Sequence, residues 1–530
     1  MWYRNWLAEI ARATLTALAA AIALGAAMPA GAEVETALVT GGTVKGTIAE
    51  GLSVFKGIPF AAPPVGELRW KRPQPVHRWP GVRSAAAFAP SCMQAMDMLK
   101  IFGAPEDISE DCLYLNVWTP AKSPRQRLPV MVWITGGGFS LGSTNLPLYD
   151  GKNLAKRGVV LVSIAYRVGP LGFMAHPALT REGGGSSGNY GLADQIAGLK
   201  WVRANVAHFG GDPANVTIFG ESAGGISVSM LAASPAAKGL FQKAISESGG
   251  NFGPVRVNET DGGLSMRSLS GAESQGSALL QELGAADIKA ARALPAAAIQ
   301  KLAGPMGRFW PTVDGRLIAG DQYDLYRAKR FNDTPLLIGS NSDEGSLFMP
   351  PKVTPDELVA AIRAGYGQKA DAVISAYPHA TEAEARQALA NVFRETAFAW
   401  PTWTWSRLHS SQGQGAVYVY YFDQKTPRDP NGSNHGDEMR FVFGNHVQPF
   451  GPPTPREQEL TAQFMGYWTN FAKTGDPNGP GLPAWPRFTS ANAEVMALGD
   501  RTGAIDQPNL APLQVFDDYY AWRRELAGRK

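Results

Sequence analysis

The chain has 530 residues, 45% hydrophobic and only 18% charged, which leaves room for a large core and excludes a disordered or collagen-like polymer. A formal charge of +3 without any Lys/Arg run gives no footprint for nucleic acid or anionic lipid. The two cysteines have no histidine or further cysteine at ligand spacing, so the sequence calls for no metal.

The N-terminus reads as a leader. Arg4 and Arg12 precede an apolar run over 15–28, and Pro29-Ala30-Gly31-Ala32 offers a small-residue cleavage signal before Glu33. Residues 1–32 are therefore expected to be a signal peptide cleaved after about Ala32, which makes the protein exported, periplasmic or extracellular. The run is shorter than the roughly 20 residues of a spanning helix, and no later segment is long and apolar enough, so no stable membrane span is expected.

Residues 39–48 and 52–55 read as short strands meeting at a Glu50-Gly51 turn, adding antiparallel strands to one sheet edge. Cys92 and Cys112 form an even pair, which in an exported chain is bridged more often than free; a loop of this length gives on the order of 3 kcal/mol. Apolar runs of strand length then follow at 128–134, 159–165, 216–219, 243–246, 336–339 and 416–422, as expected of parallel strands buried on both faces. Helical patterns separate them: 192–206 carries Ile196, Leu199, Val202 and Val206 on one stripe, and 223–233 follows a strand directly. Gly/Pro-rich loops at 426–433 and 449–455 belong on the surface. Strand–helix alternation without repeat or linker predicts one doubly wound α/β domain over 33–530.

Gly220-Glu221-Ser222-Ala223-Gly224 is a G-x-S-x-G motif in the right setting, after a strand and before a helix of small residues. A tight strand-to-helix turn would expose the Ser222 hydroxyl beside a helix N-terminus, which favours negative charge. A serine nucleophile needs a base, and in this architecture acid and histidine follow the serine in the chain. Seven histidines exist, and four lie downstream. His409 falls in a helical stretch and His379 in a cap region. His435, in the polar loop 433–438 after a strand, is the choice, with His446 the rival. The acid belongs after strand 336–339, where Asp343 and Glu344 are adjacent and local context does not separate them. Gly136-Gly137-Gly138 ends the strand 128–134, and glycine backbone N–H groups can approach an oxyanion closely. No lysine-containing phosphate-loop pattern is present.

The chain also resembles the type-B carboxylesterases, the carboxylesterase and cholinesterase family, over 43–485. The likeness is carried by Phe55-Lys56-Gly57-Ile58-Pro59-Phe60-Ala61, Ser109-Glu110-Asp111-Cys112-Leu113-Tyr114-Leu115-Asn116, Phe209-Gly210-Gly211-Asp212-Pro213, the serine motif, Asp343-Glu344-Gly345 and His435-Gly436-Asp437-Glu438. The resemblance implies an α/β-hydrolase fold: a central, mostly parallel twisted sheet, antiparallel N-terminal strands, and helices on both faces. It implies Ser222, Glu344 and His435 as catalytic triad, Gly137, Gly138 and Ala223 as oxyanion-hole donors, a Cys92–Cys112 bridge, and no cofactor. Thr135 stands where relatives often carry His or Tyr. No tryptophan precedes Cys112 where choline-binding members have one, so choline esters are not the expected substrates.

The resulting expectation is a serine hydrolase that cleaves small-molecule carboxylic esters through an acyl-enzyme. The same machinery serves an amidase, a lactone hydrolase or a carbamate hydrolase. A non-catalytic adhesion-type homologue is opposed by the presence of all three triad residues. Phe102, Phe139, Phe309 and Trp310 are candidates for the substrate pocket, or equally core aromatics. The natural ester and the oligomeric state are not legible.

Overall fold

The computed structural model describes residues 33–101, 103–105, 107–256 and 264–528; the leader expectation and Phe102 fall outside them. Eleven strands form one sheet: β1 Thr47–Ala49, β2 Leu52–Pro59, β3 Tyr114–Thr119, β4 Leu128–Ile134, β5 Val160–Ile164, β6 Gly211–Glu221, β7 Lys243–Glu247, β8 Leu336–Asn341, β9 Val417–Asp423, β10 Val495–Gly499 and β11 Gly503–Ile505. Their spatial order is β11-β10-β9-β8-β7-β6-β4-β5-β3-β2-β1. The stretch from β10 to β5 is parallel throughout. Strands β3, β2 and β1 add antiparallel pairs at one edge, and β11 does so at the other.

Alternation along β4 shows why an unbroken apolar run was required. Val130, Val132 and Ile134 enter the core on one side of the sheet, while Met131 and Trp133 enter the core on the other. All five have no exposed surface. Helices α1 Tyr190–Asn205, α2 Ala223–Ala233, α3 Glu382–Arg394, α4 Trp400–Gln412 and α5 Pro455–Thr474 are among those covering these faces.

The N-terminal expectation needs correction. Residues 39–48 do not form one strand, because the chain reverses at Gly41-Gly42. Thr36–Val39 and Gly42–Lys45 pair as a hairpin, joined by Val82–Ser84 in a separate three-stranded sheet. Trp79 lies so close that a Cβ on Gly41 or Gly42 would meet its ring at 2.2 or 2.6 Å. The Glu50-Gly51 turn does join an antiparallel pair, β1 and β2, and β2 runs on to Pro59 through an irregularity after Phe55. Strands β4, β6, β8 and β9 end on the same side of the sheet, so the loops after them converge, as ligand-binding loops do in parallel sheets.

Candidate active site

Strand β6 ends at Glu221, and Ser222 turns the chain into α2 with φ 56° and ψ −124°. For a non-glycine residue this conformation costs about 1–3 kcal/mol and persists only where the surroundings impose it. They do so tightly. A Cβ on Gly220 would lie 2.6 Å from the Gly224 carbonyl carbon, and one on Gly224 would lie 2.1 Å from the Ile134 oxygen. The Ser222 N–H donates to the Glu247 carbonyl at 2.9 Å, fixing the turn to the end of β7.

Strand β8 delivers Glu344, which has no exposed surface. One of its oxygens accepts the Ser248 hydroxyl at 2.5 Å and the Asn341 N–H at 2.6 Å. The other lies 2.6 Å from His435 Nδ1, so the imidazole donates there. Its neighbour Asp343 accepts from the Ser346 hydroxyl at 2.7 Å and serves the local turn. His435 Nε2 lies 3.2 Å from Glu221 Oε1, next to the Ser222 turn. Aromatic rings hold the imidazole as well: Phe398 stacks on it at 4.4 Å and 25°, and Phe348 packs tilted at 5.4 Å. Phe398 sits in a π turn, Glu395–Ala399, between α3 and α4. That turn precedes Pro401, whose ring would clash with the carbonyl four residues back in a regular helix.

The other histidines lie in different surroundings. His446 Nε2 pairs with the Thr461 hydroxyl at 2.9 Å, and its ring packs edge-on against Phe441. His409 is buried beside Asp333 at 3.5 Å, and burial pushes it down to about 4. His379 Nδ1 lies 2.8 Å from the Tyr377 carbonyl, ahead of α3.

Glu221, Glu344 and Asp437 act on this imidazole, and the buried Glu247 and Glu438 carboxyls lie near Glu221. Burial drives Glu221 up to about 7, against the opposing pull of the His435 charge. Burial likewise raises Glu247 to about 8 and Glu438 well above the usual carboxylate range. For His435, burial alone would favour the neutral ring, but the flanking Glu221 and Glu344 outweigh it and push the group up to about 9.

After β4 the glycine loop passes directly over the serine turn: a Cβ on Gly136 would meet Glu221 Oε2 at 2.6 Å and Ser222 Cβ at 3.1 Å. Gly137 and Gly138 adopt φ of 110° and 59°. Ala223 opens α2, where the N–H has no carbonyl one turn behind it to pair with. Around Thr135 the loop is tied to neighbouring elements by hydrogen bonds. The Thr135 carbonyl accepts the Tyr166 hydroxyl at 2.7 Å, and Gln94 bonds Gly142 further along.

The aromatic candidates divide. Phe139 has no exposed surface and packs edge-on against Phe173 and Trp310, and Phe309 is 2% exposed, so both are buried in the core. Trp310 lines a cavity of about 470 Å³ with Arg256, Arg267 and Arg308. Met306 lines this cavity and also a more apolar one of about 540 Å³ along Ser140 and Leu141. Met306 also covers Gly138 so closely that a Cβ there would meet its sulfur at 2.7 Å. Among the described residues no cluster of His, Cys, Asp and Glu could hold a metal ion, and no helix is long and apolar enough to cross a membrane. Cys92 and Cys112 are bridged.

Sequence reasoning missed Ser248, the Glu221–His435 contact, Phe398 and Gln94. Ser248 carried a usable signal, since it directly follows a parallel strand adjacent to both the serine and acid strands. Phe398 and Gln94 reach the site only through tertiary packing.

The sequence model of the carboxylesterase family matches residues 30–515. The chain belongs to the carboxylesterase family. It is 36% identical to a fumonisin B1 esterase of Sphingopyxis macrogoltabida, over 96% of this chain and 95% of that one. It is 37% identical to a para-nitrobenzyl esterase of Bacillus subtilis, over 88% and 95% respectively. A solved structure of a PNB esterase, 35% identical, superposes with a TM-score of 0.80 over 91% of this chain and 99% of that one. The fold is thus that of the α/β hydrolases, and this carboxylesterase is a carboxylic ester hydrolase acting on small-molecule esters.

Proposed function

We propose that this carboxylesterase works by two acyl transfers through Ser222. His435 Nε2 takes the Ser222 proton as Oγ attacks the ester carbon. The carbonyl electron pair moves onto oxygen, where the N–H groups of Gly137, Gly138 and Ala223 receive it. Collapse of the adduct expels the alcohol, which leaves with the proton from the imidazolium. Water then repeats the sequence on the acyl-serine, releasing the acid and restoring both groups. Glu344 holds the Nδ1–H throughout and stabilises the imidazolium.

The observation that carries this reading is the placement of His435 between Glu344 on Nδ1 and the 221–222 turn on Nε2. The names of the relatives supply first substrates to try, para-nitrobenzyl esters and fumonisin B1. The leader-like 1–32 segment and the Cys92–Cys112 bridge support export. Ser222→Ala tests the mechanism: turnover of an activated ester should fall by about 10⁴-fold or more with the fold retained by circular dichroism. Near-normal turnover in the folded variant would overturn it.

A further inference from the structure

Among the side chains that hold the loop after β4 from outside, Gln94 makes the most backbone hydrogen bonds. Gln94 is 2% exposed, and its amide grips Gly142 on both sides: Oε1 accepts the Gly142 N–H at 2.7 Å, and Nε2 donates to the Gly142 carbonyl at 2.8 Å. Nε2 also donates to the Cys92 carbonyl at 2.9 Å. The amide thus mimics an extra rung of sheet between the disulfide segment and the glycine loop.

Gly142 passes this restraint on to Gly137. The Ser140 and Leu141 N–H groups both return to the Gly137 carbonyl, at 3.0 and 2.9 Å. Gly137 sits so close to Leu141 that a Cβ on it would lie 2.6 Å from the Leu141 oxygen. Gly142 has φ 151°, and a Cβ there would meet Thr135 Oγ1 at 2.8 Å, so the loop closes on its own start. Two further ties join the same segments: the Ser91 and Ser143 hydroxyls at 2.8 Å, and Asn145 Nδ2 to the Ala89 carbonyl at 2.8 Å. The other end is fixed by the bridge from Cys92 to Cys112, just ahead of β3.

We propose that Gln94 is a positioning residue for the oxyanion loop, and that the Cys92–Cys112 bridge supports catalysis through it. This rests on the oxyanion role given above to Gly137 and Gly138. The physical argument is one of tolerance: donors must meet the developing charge at about 2.7–3.1 Å, and misplacement by about 1 Å costs on the order of 10²-fold. A buried amide with three hydrogen bonds to backbone fixes the loop far better than dispersion contacts do.

The test compares the wild type with Gln94→Met, which keeps the shape and loses the bonds, and with Gln94→Glu, which keeps the acceptor and turns a donor into a carboxylate facing two carbonyls. Turnover of a 4-nitrophenyl ester is measured beside inhibition by an aryl trifluoromethyl ketone, whose adduct with a serine carries the oxyanion, and by the matching methyl ketone. In whichever variants fold, kcat and trifluoromethyl ketone affinity should fall together by about 10- to 100-fold, with KM and methyl ketone binding little changed. Reducing the disulfide in the wild type should shift kcat the same way, and should add little in a Gln94 variant. Unchanged kcat and ketone affinity in a folded variant with only a lower Tm would reduce Gln94 to a structural role and overturn the proposal. A wild type insensitive to the trifluoromethyl ketone would instead overturn the serine and oxyanion reading beneath it.

Discussion

Glu221 Oε1 lies 3.2 Å from His435 Nε2, the nitrogen that accepts the Ser222 proton in the proposed mechanism. The imidazole therefore has a carboxylate at each nitrogen, Glu344 at one and Glu221 at the other. Glu344 orients the ring. Glu221, in the variable position of the serine motif, adds a second negative charge that favours the imidazolium and so competes with its use as a base.

That competition gives a pH prediction. With His435 as the proposed base, turnover needs a neutral ring, so activity should fall as pH drops through the His435 pKa. Burial would lower that value, but Glu221 and Glu344 push it up to about 9, which places the acidic limb above the ordinary 6.5 of histidine. Glu221→Gln removes one of the two charges, so the imidazolium is less favoured and the limb should move to lower pH by about one unit or more. A pH–rate profile of kcat/KM checks it; an upward shift would contradict the account.

The adjacent acids should separate cleanly. Glu344→Gln offers an amide to Nδ1 in place of a carboxylate, which favours the wrong tautomer and should cut kcat by about 10³-fold or more. Asp343→Asn loses a charge only from the bond with Ser346 and should cost mainly stability. One activated ester and a melting curve on each variant decide it. A dead Asp343→Asn beside an active Glu344→Gln would reassign the acid.

For the base, His435→Ala should match the loss in Ser222→Ala, whereas His446→Ala, which breaks only a bond to Thr461 and a ring contact, should keep most activity. Reversed effects would exchange their roles.

How far the sequence reached depends on the kind of contact. Strand β4 and helix α2 were legible to the residue, because an apolar run buried on two faces and a run of small residues behind a strand each have one solution. The hairpin at Gly41-Gly42 was not, because the tryptophan that packs on it lies almost forty residues away. Local context left Asp343 and Glu344 equivalent; what distinguishes them is Ser248, almost a hundred residues earlier, whose hydroxyl bonds Glu344. Phe139 and Phe309 read equally as pocket or core residues, because an aromatic looks the same in sequence whether it faces ligand or core.

Glu247 makes a stability prediction with a definite sign. Burial raises it from 4.5 to about 8, against the opposing Trp468 N–H bond, so the folded protein keeps it protonated where the unfolded chain has already ionised. Its contribution is present in full below about 4.5 and is lost as pH rises through about 8. Glu247→Gln keeps an acceptor for Trp468 and cannot ionise, so its Tm should fall less than the wild type's between pH 5 and pH 9. A variant with the same or a steeper loss would show that Glu247 is ionised in the folded state.

In the proposed mechanism the oxygen of Ser222 attacks the substrate. A fluorophosphonate ester phosphonylates an activated serine and expels fluoride, so the adduct records which residue is the nucleophile. The protein should be treated with a slight excess until esterase activity is gone, digested, and the modified residue located by mass spectrometry. One adduct per chain is expected, on Ser222, abolished in Ser222→Ala and strongly slowed in His435→Ala. Inactivation with the adduct on another residue, or full activity surviving complete labelling of Ser222, would contradict the mechanism.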